Sequence, residues 1–340
     1  MMKHIILPIL YLLLSTTTSS AIMGINYGRV ANNLPQPSKV ANFLTSKTTL
    51  KHVKIFDFDP QILQGFANTN ISLTITIPNA NIPQLTNPSL AQSWIATNII
   101  PYYPKTIIRY IIMGNEVQFS GDQTLMNNTI KAMNSIYQAL LSKNLTKIKV
   151  TTPHSLAILE RSKYPSFARF KMGYEKVFFI PLLEFHRKTK SPFMVNPYPY
   201  FGFDPNNVNF ATFKENDGLL DKSTGLRYYN MFDYLMDAVY SSMKRLGYDD
   251  VEINVGETGW PSLGDPSEPF ATLENAVSYN SNLIKHVSSG NGTPLMPNRT
   301  LETYIFALFN ENLKSSTSER NYGLFRPDFT PVYDVGVFNP

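Results

Sequence analysis

Short apolar runs rich in β-branched and aromatic residues recur along the chain, and between them lie longer segments whose apolar positions follow a helical period. The runs at 22–27, 52–56, 71–77 and 107–113 predict four strands, and those at 147–152, 193–196, 251–255 and 304–309 predict four more. Residues 89–100, 122–141, 229–246 and 273–287 carry the clearest amphipathic helices between them. Strand followed by helix, repeated, covers a sheet with helices and predicts parallel pairing. Eight such units over about one large domain's length fit a closed α/β barrel, the (β/α)8 or TIM barrel, which takes about 250 residues or more. An open doubly wound sheet would announce a glycine-rich phosphate turn after its first strand. Gly24-Ile25-Asn26-Tyr27-Gly28 lacks the third glycine and the helix spacing for that turn. No composition break marks a second domain, so 22–340 is expected to be a single catalytic domain. The stretch 202–224 is a longer insertion, and 291–298 and 313–319 are surface loops.

The first residues stand outside that pattern. Lys3 and His4 lead into an apolar stretch over 5–14, then a Ser/Thr-rich stretch and Ala21, which predicts a secretory signal over 1–21. The stretch is too short to span a bilayer, which takes about 20 apolar residues. Residues 326–340 lack the hydrophobic tail of a lipid-anchor signal. The expectation is a soluble, secreted monomer, extracellular or in a cell wall. Sequons at Asn70, Asn127, Asn144, Asn291 and Asn298 fit a glycoprotein.

Composition removes several chemistries. The 340 residues contain no cysteine, which excludes thiol nucleophiles, cysteine-ligated zinc and disulfide-stapled modules. A chain this long buries enough apolar surface to fold without cross-links. The net charge of +5 is spread with no block of five or six like charges, so no nucleic-acid partner is expected. His4, His52, His154, His186 and His286 form no metal-ligand spacing, no Gly-x-Ser-x-Gly elbow occurs, and no metal or other cofactor is expected.

The remaining chemistry is carboxylate chemistry. Glu116 in Ile-Ile-Met-Gly-Asn-Glu-Val and Glu257 in Ile-Asn-Val-Gly-Glu-Thr-Gly-Trp each stand where an apolar run stops. A barrel presents its catalytic side chains at the carboxyl ends of its strands, so residues far apart in sequence meet at one mouth. Two carboxyl groups in one cleft suit cleavage of a glycosidic bond. Either glutamate alone would read as a strand-end ion pair or helix cap.

Gly-Ile-Asn-Tyr-Gly at 24–28, Gly-Asn-Glu-Val at 114–117, Asn-Pro-Tyr-Pro-Tyr-Phe at 196–201 and Gly-Glu-Thr-Gly-Trp-Pro-Ser at 256–262 resemble plant glycoside hydrolase family 17. So do Tyr-Ile-Phe-Ala-Leu-Phe-Asn-Glu-Asn-Leu-Lys at 304–314 and Glu-Arg-Asn-Tyr-Gly-Leu-Phe at 319–325. The resemblance implies a retaining glucan endo-1,3-β-glucosidase, with Glu116 as general acid/base, Glu257 as nucleophile and β-1,3-glucan as partner. The charge on Glu257 is expected to raise the pKa of Glu116 by repulsion. The resemblance further implies that Asn115 binds the sugar 2-hydroxyl, and that Glu311, Lys314 and Glu319 line the cleft, with Lys314 paired to Glu311 or Glu319. Asn196, Tyr198 and Tyr200 of the 196–201 motif, with Tyr27 and Trp260, are the expected sugar contacts, the aromatics by stacking. One departure stands in strand two: many members carry Arg-x-Tyr where this chain has Lys54-Ile55-Phe56, so a phenolic hydroxyl near the floor is missing. The alternatives are a mixed-linkage 1,3-1,4-β-glucanase using the same carboxylates, and a non-catalytic β-glucan-binding protein on the same fold.

Overall fold

The computed structural model describes residues 22–339; the expected signal segment lies outside the described residues. Nine parallel strands are introduced in chain order: β1 Met23–Tyr27, β2 His52–Ile55, β3 Ser72–Ile77, β4 Ile107–Met113, β5 Lys149–Thr151, β6 Pro153–Ser155, β7 Phe193–Asn196, β8 Ile253–Thr258 and β9 Thr303–Ile305. They form one sheet in the order β5-β4-β3-β2-β1-β9-β8-β7-β6. The two ends of that sheet, β5 and β6, are consecutive pieces of a single extended run, separated only by Thr152. The run pairs with β4 through its first half and with β7 through its second. The sheet therefore closes on itself, and the expected eight-stranded barrel is what forms. The fifth run, expected over 147–152 as one strand, is divided because it changes neighbours at Pro153, which has no N–H to continue a ladder.

Helices α1 Pro37–Lys47, α2 Pro60–Gly65, α3 Pro88–Asn98, α4 Gln123–Ser142, α5 Ile180–Thr189, α6 Met231–Arg245 and α7 Leu273–Ser289 pack around the strands. Their starts follow local rules. α1, α2 and α3 open on proline, whose missing N–H costs nothing in the first turn. Asp59, Asn87, Asp122, Asn230 and Thr272 cap α2, α3, α4, α6 and α7 by accepting backbone N–H groups. α4 buries Met126, Ala132, Met133, Ile136, Ala139 and Leu140 on one face. α1, α2 and α5 did not stand out in the sequence; α2 is only 6 residues long, and α5 grows out of an irregular turn over Glu175–Phe179. The loop expected at 291–298 is a small hairpin pairing Gly292–Thr293 with Met296–Pro297. No helix among the described residues is long and apolar enough to cross a membrane.

The lower end of the barrel is closed by a polar knot. The Glu302 carboxylate, 7 % exposed, accepts from Arg109, the hydroxyls of Tyr110 and Tyr304, and Asn254. Glu302→Ala leaves the Arg109 guanidinium without its carboxylate and is expected to cost about 3 kcal/mol, the lower end of the range for a broken buried pair because Arg109 keeps some solvent. A fall in denaturant midpoint with unchanged kcat/KM would be the signature, since the knot lies at the strands' amino ends, far from the mouth.

Candidate active site

At the carboxyl end of β4 the chain reverses sharply. Gly114 has φ +71° and Glu116 has φ +49°, a left-handed conformation uncommon for a glutamate. A side chain at Gly114 would collide with Asn79, Ile82 and Val117, so glycine is the residue that fits. The Asn79 side chain clamps the turn: its Oδ1 accepts the Asn115 N–H at 2.7 Å and its Nδ2 donates to the Asn115 carbonyl at 3.1 Å. The Glu116 N–H donates to the Pro153 carbonyl of the neighbouring run, the point at which β5 passes into β6. Glu257 reaches the same mouth from β8, where the register against β9 shifts between Val255 and Thr258. Such an irregularity turns a strand's side chains relative to its neighbour.

The two carboxylates share a single donor. Asn196 Nδ2, at the end of β7, donates to Glu116 Oε1 at 2.8 Å and to Glu257 Oε1 at 3.3 Å. Glu257, 7 % exposed, also accepts from Lys54 Nζ at 2.9 Å on Oε1 and from the Tyr198 hydroxyl at 3.0 Å on Oε2. Lys54, wholly buried on β2, further donates to Asn26 Oδ1 at 3.2 Å and stands 3.8 Å from the Phe56 ring centroid. Asn26 is in turn fixed by its Nδ2 on the carbonyls of Gly256 and Tyr304. Glu257 therefore sits among donors, one of them a full positive charge, while Glu116 has one.

These surroundings act on the acidity of Glu116. The Glu116 carboxyl titrates above its ordinary range, first because it is buried and second because Glu257 is close; Asn196 and Lys54 pull the other way. Repulsion by Glu257, the cause expected from sequence, is therefore the lesser of the two, and burial contributes most. Burial likewise lowers the Lys54 pKa, against the opposing pull of Glu257.

The other residues singled out by sequence fall into two groups. Asn115 lies beside the pair with a buried Oδ1 that has no partner among the described residues. Glu311, 2 % exposed, tucks against Gly28 and accepts the Val30 N–H at 2.7 Å; burial raises its pKa, and Lys314 and Glu257 act on it from a distance. A Cβ at position 28 would overlap that carboxylate, which accounts for the glycine. Lys314 is not ion-paired with Glu311 or Glu319 among the described residues; its Nζ lies 5.4 Å from the Phe306 centroid. The expected pair does not form because Glu311 turns down toward the Val30 N–H. Glu319 is exposed, and its pKa is lowered first by the Ser315 hydroxyl that it accepts.

Trp260 and Tyr27 do not present faces to the cleft. Trp260 is wholly buried, with its indole N–H on the Phe270 carbonyl, and Tyr27 is 2 % exposed with its ring against Phe309. Their side chains face the strand–helix layer, where large aromatics fill volume. Tyr200 packs edge-on against Trp260 and donates to Glu268 at 3.2 Å, away from the Glu116–Glu257 pair. The aromatic wall next to the carboxylates consists instead of Phe56, Tyr198, Phe306 and Tyr322, in edge-to-face contacts 5.5–6.4 Å apart. Sequence reasoning passed over Phe306, Tyr322, Asn26, Asn79 and Lys54 as site residues. Lys54 alone carried a signal, as a cation inside an apolar strand. No group of three or more metal-ligating side chains occurs among the described residues.

A closed parallel barrel with two carboxyl groups on one amide at its mouth is the architecture of a glycoside hydrolase. The family model for glycosyl hydrolases family 17 matches residues 23–337, and the chain belongs to that family. It is 48 % identical over 328 residues to a glucan endo-1,3-β-glucosidase of Triticum aestivum, an alignment covering 95 % of this chain and 71 % of the relative. Among solved structures it resembles a β-1,3-glucanase and pollen allergen of Cryptomeria japonica, with TM-score 0.87, 38 % identity, and 93 % and 99 % of the two chains covered. It also resembles one of two plant β-glucan endohydrolases with distinct substrate specificities, with TM-score 0.84, 37 % identity, and 92 % and 99 % covered.

Proposed function

We propose that the protein is a secreted endo-1,3-β-glucanase that cleaves internal bonds of β-1,3-glucan with retention of anomeric configuration. The observation that carries the mechanism is the single Asn196 amide on both carboxylates. Its two bonds, 2.8 and 3.3 Å long, bring one oxygen of each carboxyl group to the same amide, which supports the close spacing of a retaining pair, about 5–5.5 Å between carboxyl groups. Kinship with glucan endo-1,3-β-glucosidases supports the substrate class.

In the first step Glu116 gives its proton to the glycosidic oxygen while a Glu257 oxygen bonds to the anomeric carbon and the bond to the leaving sugar breaks. The raised pKa of Glu116 keeps that proton in place, so activity falls as pH rises through the Glu116 value. Lys54 and the Tyr198 hydroxyl donate to Glu257 and keep its carboxylate aimed. Once the ester forms, the Glu257 charge is gone and one cause of the raised Glu116 pKa goes with it. Glu116 then takes a proton from water, the water oxygen bonds to the anomeric carbon, and the Glu257 carboxylate is released. Asn115, next in the chain to Glu116, has an amide oxygen without a partner among the described residues and is the proposed contact of the sugar 2-hydroxyl, a bond that strengthens as charge develops at the anomeric carbon.

Laminarin is expected to be cut to oligosaccharides whose new reducing ends appear first as the β-anomer by NMR, with little release from lichenan. Faster cleavage of lichenan would move the assignment to a mixed-linkage enzyme using the same carboxylates. No release from either polysaccharide would leave a binding protein.

A further inference from the structure

The amino ends of the strands, opposite the carboxylates, surround a cavity of about 510 Å³, within the range of small-molecule sites. Its lining includes Arg109, Glu252, Asn254, Asn298, Arg299 and Thr300. This is a polar recess, suited to a ligand rich in hydroxyl and amide groups. Two of its lining residues, Asn298 and Thr300, are the first and third residues of the sequon Asn298-Arg299-Thr300. Both are exposed, and among the described residues neither side chain has a hydrogen-bond partner; the same holds for Glu252. Asn298 follows the hairpin strand Met296–Pro297 in a left-handed turn with φ +63°, and its N–H is fixed on the Asn291 carbonyl. Arg299 is held beside it by the Asp249 carbonyl and the Tyr240 ring. The acceptor amide thus stands on the rim of this polar recess.

We infer that Asn298 carries an N-linked glycan whose first N-acetylglucosamine seats in this recess and braces the lower end of the barrel. The inference rests on the proposed secretion, because the sugar donor is a lipid-diphosphate-linked oligosaccharide of the secretory lumen. Asn298 Nδ2 bonds to the anomeric carbon of that donor, the bond to the diphosphate breaks, and the amide loses one proton. A glycan there leaves the cleft at the other end open to polysaccharide.

Thr300→Ala removes this sequon without touching a hydrogen bond. Three of the other four sequons are less suited to the same change, since Ser72, Thr129 and Thr293 are buried and bonded to His52, Leu125 and Asp237. Residues 22–340 and the Thr300→Ala variant would be produced behind the host's own secretory leader, in cells that make only high-mannose glycans. Both would then be trimmed with endoglycosidase H, which leaves one N-acetylglucosamine on each occupied asparagine. Peptide mass spectrometry is expected to find Asn298 occupied. The trimmed parent is expected to melt at least about 2 °C above the trimmed variant, with the difference absent when both are made without glycosylation. An unoccupied Asn298, equal melting temperatures after trimming, or the same difference without any glycan would each overturn the inference. The full chain carrying its own first 21 residues tests secretion separately: failure to reach the medium overturns that reading alone.

Discussion

Glu257→Ala is expected to lower kcat on laminarin at least about 10⁴-fold, the scale of deleting a nucleophile from a catalytic set, and added azide is expected to restore turnover as an α-glycosyl azide. The variant opens a space beneath the anomeric carbon, bounded by Lys54, Asn196 and Tyr198. A small anion entering there displaces the leaving sugar once, and a single displacement inverts the centre. Glu116→Ala is expected to behave in the opposite sense. With an activated aryl leaving group the ester on Glu257 still forms, and azide then attacks from the vacated Glu116 side, giving the β-azide after two displacements. The anomeric coupling constant of the isolated azide decides between them. A β-azide from Glu257→Ala and an α-azide from Glu116→Ala would mean that the two roles are exchanged.

The second large effect is expected at Lys54. Its ammonium is wholly buried, donates to Glu257 at 2.9 Å and lies against the Phe56 ring. Lys54→Met leaves the Glu257 carboxylate without its cation in a site from which water is largely excluded. Losing one preorganised donor of this kind lowers kcat by about 10²- to 10³-fold. The pH profile separates this from simple loss of packing. Lys54 is one of the groups holding the Glu116 pKa down, so its removal raises that pKa further, and the alkaline limb of kcat moves to higher pH. Lys54→Arg restores the charge and should return the limb toward its original position. A Lys54→Met enzyme with reduced kcat but an unmoved limb would assign Lys54 to packing alone.

Phe56 sharpens the point. In sequence, Lys54-Ile55-Phe56 reads as the loss of a phenolic hydroxyl, and so as a question of sugar contact. In the folded protein Phe56 covers Lys54 and meets Phe306 edge-on, joining the wall that continues through Tyr198 and Tyr322. That wall is built from β2, the loop after β7 and the segments following β9, and no local pattern links these elements.

What the sequence determined by itself was the periodicity of its elements and the places where they stop. Ile107–Met113 and Phe193–Asn196 form strands with the bounds that their apolar runs predict, because alternation and β-branching are properties of neighbouring residues. Glu116 and Glu257 were legible as strand-end acids for the same reason, and the barrel rule brought them to one mouth. Only the tertiary structure decided which groups surround them. Asn196 and Lys54 reach the pair across sequence separations of 61 to 203 residues, Asn26 braces Lys54 and bonds the Gly256 carbonyl 230 residues away, and Trp260 and Tyr27 turn into the packing although their motifs stand at the mouth. Burial and charge proximity arise from closure of the sheet, so the order of causes behind the Glu116 pKa, and the separate seating of Lys314 and Glu311, follow from where the closed barrel places each side chain.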